Sequence, residues 1–275
     1  MTLRLILGDQ LNHQHSWYET TDENVIYCFF EMRQETDYVA HHIQKVVAFF
    51  AAMRGFAEHL ENAGQHVIYF RLDDARNTQS LTENLQQLIA EHDINKFEYQ
   101  LPDEYRLDVQ LREFCDQLAI ETEAVDSEHF MTTRHELEAF FKGKKTYLME
   151  SFYRDMRKRF DIMMDGKDPV TGQWNYDKNN RKKMPKKHVP PQPLVFERDV
   201  TKIVELIENQ GVKTIGRVDA KNFVWPVTRV EGLEILEFFC TTCLVHFGDF
   251  QDAMTPEYWS NYHSRISFAM NAKLI

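Results

Sequence analysis

No run of 18 apolar residues occurs in the 275-residue chain, so no stretch has the length of a membrane-spanning helix. Cysteine is scarce. Cys28, Cys115, Cys240 and Cys243 are too few for a disulfide framework in a chain this long. Residues 1–7 are too short for a secretory leader and run straight into Gly8-Asp9, which makes the cytoplasm the default expectation. His41 and His42 are adjacent, and no histidine follows four residues on, so the i, i+4 pair of a helical metal site is missing. Cys240-Thr241-Thr242-Cys243 has metal or redox spacing, but no second pair completes a four-cysteine site. Its place in an apolar helical pattern reads as two buried thiols in a helix core. No segment repeats.

The charge is uneven. The net charge is −11, which taken alone argues against nucleic acid. Between residues 142 and 187, however, fourteen Lys and Arg face six Asp and Glu, a net of +8, so the rest of the chain carries −19. Such asymmetry marks either an anion-binding face on an acidic body or a solvated basic loop. Tyr153, Arg154, Arg157, Lys158 and Arg159, and then Trp174, Tyr176, Arg181, Lys182 and Lys183, mix cations with aromatics. Cations can hold a phosphate backbone and aromatics can stack on bases. A basic tract lying over the acidic body would read the same way.

Periodicity divides the chain in three. Residues 1–130 alternate strand and helix signals, with apolar strand runs at 3–7, 25–30, 66–71, 97–101 and 120–125. Helical spacing appears at 38–62, 81–90 and 107–118. This predicts an α/β fold with a doubly wound, parallel, five-stranded sheet covered by helices on both faces. The polar stretch 13–23 gives no clear helix after the first strand. Residues 131–198 read as a basic connector with one helix at 148–163, followed by an extended stretch set by Pro185, Pro190, Pro191 and Pro193. Residues 199–275 read as the opening of an all-helical domain, with helices at 200–209 and 229–243.

Ligands of an open parallel sheet sit beyond the carboxyl ends of its strands. Gly8-Asp9-Gln10-Leu11 follows the first strand, and residues 31–38 follow the second. A glycine admits a ligand close to the backbone, and Asp9 can accept from a ring N–H or a hydroxyl. Glu35 and Tyr38, three apart, can share a face. A carboxylate and a phenol suit a flat heteroaromatic ring with N–H donors, although acidic residues there can equally cap a helix. His41 and Lys45 share a face and can meet an anion. At the other end of the chain, residues 262–275 turn from polar to apolar, as the start of a helix does, with hydroxyls and backbone N–H groups free for an anion.

These segments resemble the photolyase/cryptochrome superfamily, in its bacterial branch that carries an iron–sulfur cluster and repairs (6-4) photoproducts. The matching strings are Gly8-Asp9-Gln10-Leu11; residues 35–45 with Ala52-Met53-Arg54; Ser151-Phe152-Tyr153-Arg154-Asp155-Met156-Arg157; Met164-Asp165-Gly166 with Trp174-Asn175; Trp225-Pro226-Val227-Thr228-Arg229; residues 246–254; and His263-Ser264-Arg265-Ile266-Ser267. The resemblance implies that residues 1–130 hold an antenna chromophore of ribityl-lumazine type, contacted by Gly8, Asp9, Gln10, Glu35, Tyr38 and His41. It implies that His263, Ser264, Arg265 and Ser267 belong to an FAD diphosphate segment. It further implies light-driven electron transfer from a reduced flavin to a pyrimidine lesion flipped out of DNA, with Arg154, Arg157, Lys158, Arg181, Lys182 and Lys183 on the nucleic acid.

The family's chains run close to twice this length. Its 4Fe-4S cysteines, relay aromatics and lesion-binding histidines find no counterpart here, and Cys240 and Cys243 are not substitutes. Phe268 stands where many relatives have proline. The expectation is the front part of a (6-4)-type photolyase, inactive alone and without FAD or the cluster. Phe238, Phe239, Phe247 and Trp259 would then be uncovered and prone to self-association. A cryptochrome-like blue-light sensor and a freestanding nucleotide or nucleic-acid binding module are the alternatives.

Overall fold

Five strands, β1 (Thr2–Leu5), β2 (Val25–Phe30), β3 (His66–Phe70), β4 (Lys96–Gln100) and β5 (Glu121–Val125), form one sheet in the order β3-β2-β1-β4-β5. Every pairing is parallel. The computed structural model describes residues 1–275 except Asn179, Arg181 and Lys186. Why β2 reads as an unbroken apolar run is plain from its packing. All six residues are buried, and alternate side chains leave on opposite faces. Val25, Tyr27 and Phe29 enter one layer with α2 (Ile43–Asn62), while Ile26, Cys28 and Phe30 enter the other with α3 (Leu81–Glu91) and α4 (Tyr105–Cys115). Helices on both faces and this strand order make a doubly wound α/β sheet, as the alternating pattern predicts.

The helix expected over 38–62 is α2, which starts only at Ile43, and a separate short α1 (Arg33–Asp37) precedes it after β2. His42 caps α2, its Nδ1 accepting from Gln44 N at 3.2 Å. Ile43 N donates to Ile215 O and Ile215 N to His41 O, both at 2.9 Å. The backbone before Ile43 is therefore extended and bridged, which apolar spacing cannot register. The stretch 13–23 holds one 3₁₀ turn, Ser16–Tyr18, and no α-helix. His15 Nδ1 accepts from Trp17 N, and the Tyr27 hydroxyl donates to Trp17 O at 2.6 Å, so side chains fix what periodicity does not.

Two compact units divide the described chain. The first comprises Met1–His129, Leu194–Leu236 and Ile266–Ile275. In it α7 (Thr201–Asn209) joins the α2 side of the core through Ile203, Val204 and Ile207. The second comprises Phe130–Pro193 and Glu237–Arg265. It carries α5 (Glu136–Phe141), α6 (Met149–Arg159), a two-residue-per-strand hairpin of β6 (Met164–Asp165) and β7 (Asp168–Pro169), and α9 (Leu244–Phe250). Gly166, at φ 60°, turns that hairpin. The helix expected over 229–243 begins as α8 (Arg229–Phe238) and winds into a π-helical turn, Phe239–Cys243. This corrects the reading of both thiols as buried. Cys243 is buried and Cys240 exposed, because the wider i→i+5 winding spreads residues three apart further round the axis. Among the described residues no helix is long and apolar enough to cross a membrane.

His13 gives the first unit an acid-sensitive contact. Its ring lies 4.8 Å from the Phe56 ring and 4.3 Å from that of His59. Burial first, then the charges of His59 and Arg229, lower its pKa from 6.5 to about 4. The unfolded chain therefore takes up this proton near pH 6.5 and the folded chain only near pH 4. Stability contributed here is present above that window and falls as pH drops through it. Urea denaturation at pH 7 and pH 5 should show a smaller acid-induced loss for His13→Phe than for the parent chain. An equal loss in both would remove His13 from the account.

Candidate functional site

At the carboxyl ends of β1 and β2, and reaching the start of α4, lies a cavity of about 270 Å³. Its position follows from topology. The strand order reverses between β1 and β4, so the loops leaving β1 and β2 diverge from the one leaving β4 and open a crevice. Leu5, Ile6, Leu7 and Phe30 supply strand-end apolar surface, and Val46, Phe49, Phe50 and Met53 supply one face of α2. Gly8, Asp9, Glu35, Tyr38, His41, Lys45 and Glu104 bring the polar groups. Apolar walls with a few converging polar groups are how small-molecule sites are built.

The polar rim is organised by a residue that sequence reasoning missed. Arg106, in the first turn of α4, donates to both carboxylate oxygens of Glu35, at 3.1 and 2.8 Å. It also pairs with Glu104 at 2.9 Å, and its guanidinium lies 4.6 Å from the centre of the Tyr38 ring. The Glu35 hydrogen bond is the leading cause of the raised Arg106 pKa. Tyr38 meets the His41 ring edge-on at 5.0 Å, and Lys45 Nζ lies 3.2 Å from His41 Nδ1. Burial and the Lys45 charge lower the His41 pKa, so at neutral pH its imidazole accepts from the ammonium. Burial is also the first cause of the raised Tyr38 pKa, followed by Glu35 and Glu104. No sequence spacing links Arg106 to Glu35, 71 positions earlier. Only the packing of the loop after β2 against α4 does so.

Five of the six expected antenna contacts, Gly8, Asp9, Glu35, Tyr38 and His41, line this one cavity. Gln10 does not. It is 1% exposed, its Oε1 accepting from Leu7 N and its Nε2 donating to Gln100 O, both at 3.0 Å. Its role is to hold the turn. Glu31, at the head of the same loop, is likewise enclosed, bonded to Arg54, Tyr69 and Leu72. Gly8 explains the open space. A Cβ there would lie 3.1 Å from Met53 Sδ and 3.3 Å from Phe49 Cδ1.

The flavin-segment residues are distributed over both units. His263, Ser264 and Arg265 close the second, and Arg265 has φ 59° with its guanidinium 5.3 Å from the centre of the Trp259 ring. Ser267 opens α10 (Ser267–Asn271) in the first. Of the expected nucleic-acid contacts, Arg154, Arg157 and Lys158 gather around the Trp174 ring, at 5.2, 5.2 and 5.4 Å from its centre. Arg154 is paired with Glu150. Arg157 is buried and donates to Ile162 O and Met163 O, so its guanidinium holds a loop. Lys182 pairs with Asp249 at 2.7 Å and Lys183 is exposed, while Arg181 lies outside the described residues.

Fold and cavity together define a doubly wound α/β chain with an apolar, polar-rimmed cavity at the carboxyl ends of β1 and β2. The chain belongs to the family of deoxyribodipyrimidine photo-lyase-related proteins, whose model matches residues 4–223. It is 32% identical to a (6-4) photolyase of Agrobacterium fabrum over 278 residues, covering 99% of this chain. It spans 54% of that relative's length. It is 29% identical over 154 residues to an uncharacterized protein of Acanthamoeba polyphaga mimivirus, covering 54% of this chain and 76% of that protein. The iron–sulfur cluster implied by the resemblance does not fit the residues described here. Cys28 and Cys243 are buried, Cys240 is exposed, and among the described residues no three of His, Cys, Asp and Glu gather as ligands.

Proposed function

We propose that the cavity at the ends of β1 and β2 binds a planar antenna chromophore of ribityl-lumazine type, as part of a photolyase-related protein acting on (6-4) photoproducts in DNA. One observation carries the reading. Asp9, from the loop after β1, meets Glu35, Tyr38 and His41, from the segment after β2, over an apolar bed on α2. The Tyr38 ring offers a flat surface to a heteroaromatic ring, and the Arg106 guanidinium lies over the Tyr38 ring and braces it. Glu35, held bidentate by Arg106, is fixed as an acceptor for ring N–H groups. Thr36 and Lys45 stand by for tail hydroxyls.

Such a chromophore absorbs near-ultraviolet and blue light and passes the excitation to a flavin. This chain's own residues bind the ring, orient it and exclude water from its apolar face. Light-driven repair by the whole protein, with FAD near His263, Ser264, Arg265 and Ser267, rests on the sequence likeness. DNA contact through Arg154, Lys158, Lys182 and Lys183 draws support from the cations gathered at Trp174. Titrating the purified chain with a ribityl-lumazine tests the pocket. The expected result is saturable, one-to-one quenching of the lumazine with a shifted absorption band. Stoichiometric FAD bound in place of the lumazine would overturn the reading.

A further inference from the structure

Lys273 is 2% exposed, a rare state for lysine. Its backbone is left-handed, at φ 57°, which is uncommon for any residue but glycine. The side chain is fully used. Nζ donates to the main-chain oxygen of Asp9 and to Asp103 Oδ2, each at 2.7 Å. Asp9 lines the pocket, so a cation from the far end of the sequence reaches the turn that shapes it.

The rest of that segment is anchored at the same place. Leu11 N donates to Ala272 O at 3.0 Å, and Arg229 Nη1 donates to Leu274 O at 2.8 Å. The Phe268 ring meets Phe49, another pocket-lining residue, edge-on at 5.3 Å. Residues 266–275 therefore support the pocket from outside. The local charge is crowded with acids. Lys273, Asp103 and Glu35 act on the Asp9 carboxyl. Around the rim stand Glu104, Tyr38, His41 and Lys45, with Arg106 on Glu35, and His129 feels Lys273 and Asp103 from the end of the unit. Four carboxylates thus face Lys45, Arg106 and Lys273. Without the lysine, the Asp9 carboxyl would face Asp103 and Glu35 with no opposing charge from this side.

We infer that Lys273 is a positioning residue of the pocket: it clamps the Gly8-Asp9 turn through the Asp9 main-chain oxygen, and its buried charge beside that turn favours the carboxylate form of Asp9 as an acceptor for a ring N–H of the ligand. This rests on the chromophore reading of the pocket. Burial, the largest influence, raises the Asp9 pKa; Lys273 works against that rise and Asp103 adds to it, and the net direction is upward, so loss of the lysine would raise it further.

Ribityl-lumazine affinity measured by fluorescence quenching from pH 5 to pH 9 tests the inference in three versions of the 275-residue chain. The parent chain should lose affinity as pH falls through the Asp9 ionisation. Lys273→Met should bind about tenfold more weakly at pH 7, with its acid limb about one pH unit higher, and should recover towards alkaline pH. Asp103→Asn, a change at a side chain 42% exposed, should move the limb the other way, because it removes a like charge from Asp9. A scaffold role alone would lower affinity by one factor at every pH. That result, or acid limbs that coincide in all three chains, overturns the inference while leaving the pocket reading intact. Failure of the parent chain to bind at any pH overturns both.

Discussion

Glu31→Ala should cost about 3–5 kcal/mol of folding free energy, the range for removing one partner of a buried ion pair. The Glu31 side chain is 0% exposed. Its Oε1 accepts from Arg54 Nε at 2.6 Å and from the Tyr69 hydroxyl at 2.7 Å. Its Oε2 accepts from Arg54 Nη2 at 2.9 Å and from Leu72 N at 3.0 Å. One carboxylate thus ties the end of β2 to α2 and to the residues after β3, directly behind the pocket. Alanine leaves a half-buried guanidinium, a phenol and a main-chain N–H without their acceptor, and each bears its own desolvation cost. The double variant Glu31→Met/Arg54→Met should cost less than Glu31→Ala, because no uncompensated charge remains. Urea denaturation of the three chains reads the difference. A loss below about 1 kcal/mol for Glu31→Ala would show that the network is not what fixes the strand end.

Gly8→Val should weaken ribityl-lumazine binding by roughly 100-fold, equivalent to ~2.7 kcal/mol, with the fold retained. Gly8 is absent from the residues with left-handed φ, so a β-branched residue can adopt its backbone. The obstacle is space. A Cβ already presses on Met53 Sδ and Phe49 Cδ1, and the valine methyls would occupy the volume between β1 and α2 that the ligand needs. Gly8→Ala is the graded control. The Met53 thioether is flexible and can yield to one methyl group, so its affinity loss should stay within about tenfold. Overpacking of this kind costs about 1–3 kcal/mol of stability, small enough to leave a folded chain for the measurement. Unchanged binding in Gly8→Val would place the ligand elsewhere.

The parallel sheet was legible because burial on both faces leaves an unmistakable trace. Val25–Phe30 is apolar at every position since neither side of β2 meets water. The strand-end location of Asp9, Glu35 and Tyr38 followed from the same logic, as loops leaving parallel strands converge on one edge. Partners from distant sequence were not legible. Arg106 is an ordinary charged residue on an amphipathic helix until α4 sets its guanidinium on Glu35 and Tyr38. Lys273 belongs to no motif or spacing in the sequence, and only the fold buries it against Asp9 and Asp103. Gln10 shows the converse. It lies within the Gly8-Asp9-Gln10-Leu11 string, yet its amide is consumed by Leu7 and Gln100. Arg157 has the composition of a phosphate ligand and the geometry of a loop brace. A string of residues conveys chemistry but not the direction in which each side chain points.

A crystal structure of the chain grown with a ribityl-lumazine tests the central claim most directly. The account predicts one ring seated between the Tyr38 side and the Met53-Phe49 face of α2, its N–H groups within hydrogen-bond reach of Asp9 or Glu35. A cavity closed by the chain's own side chains, or a lumazine bound at a surface remote from Gly8, would contradict it.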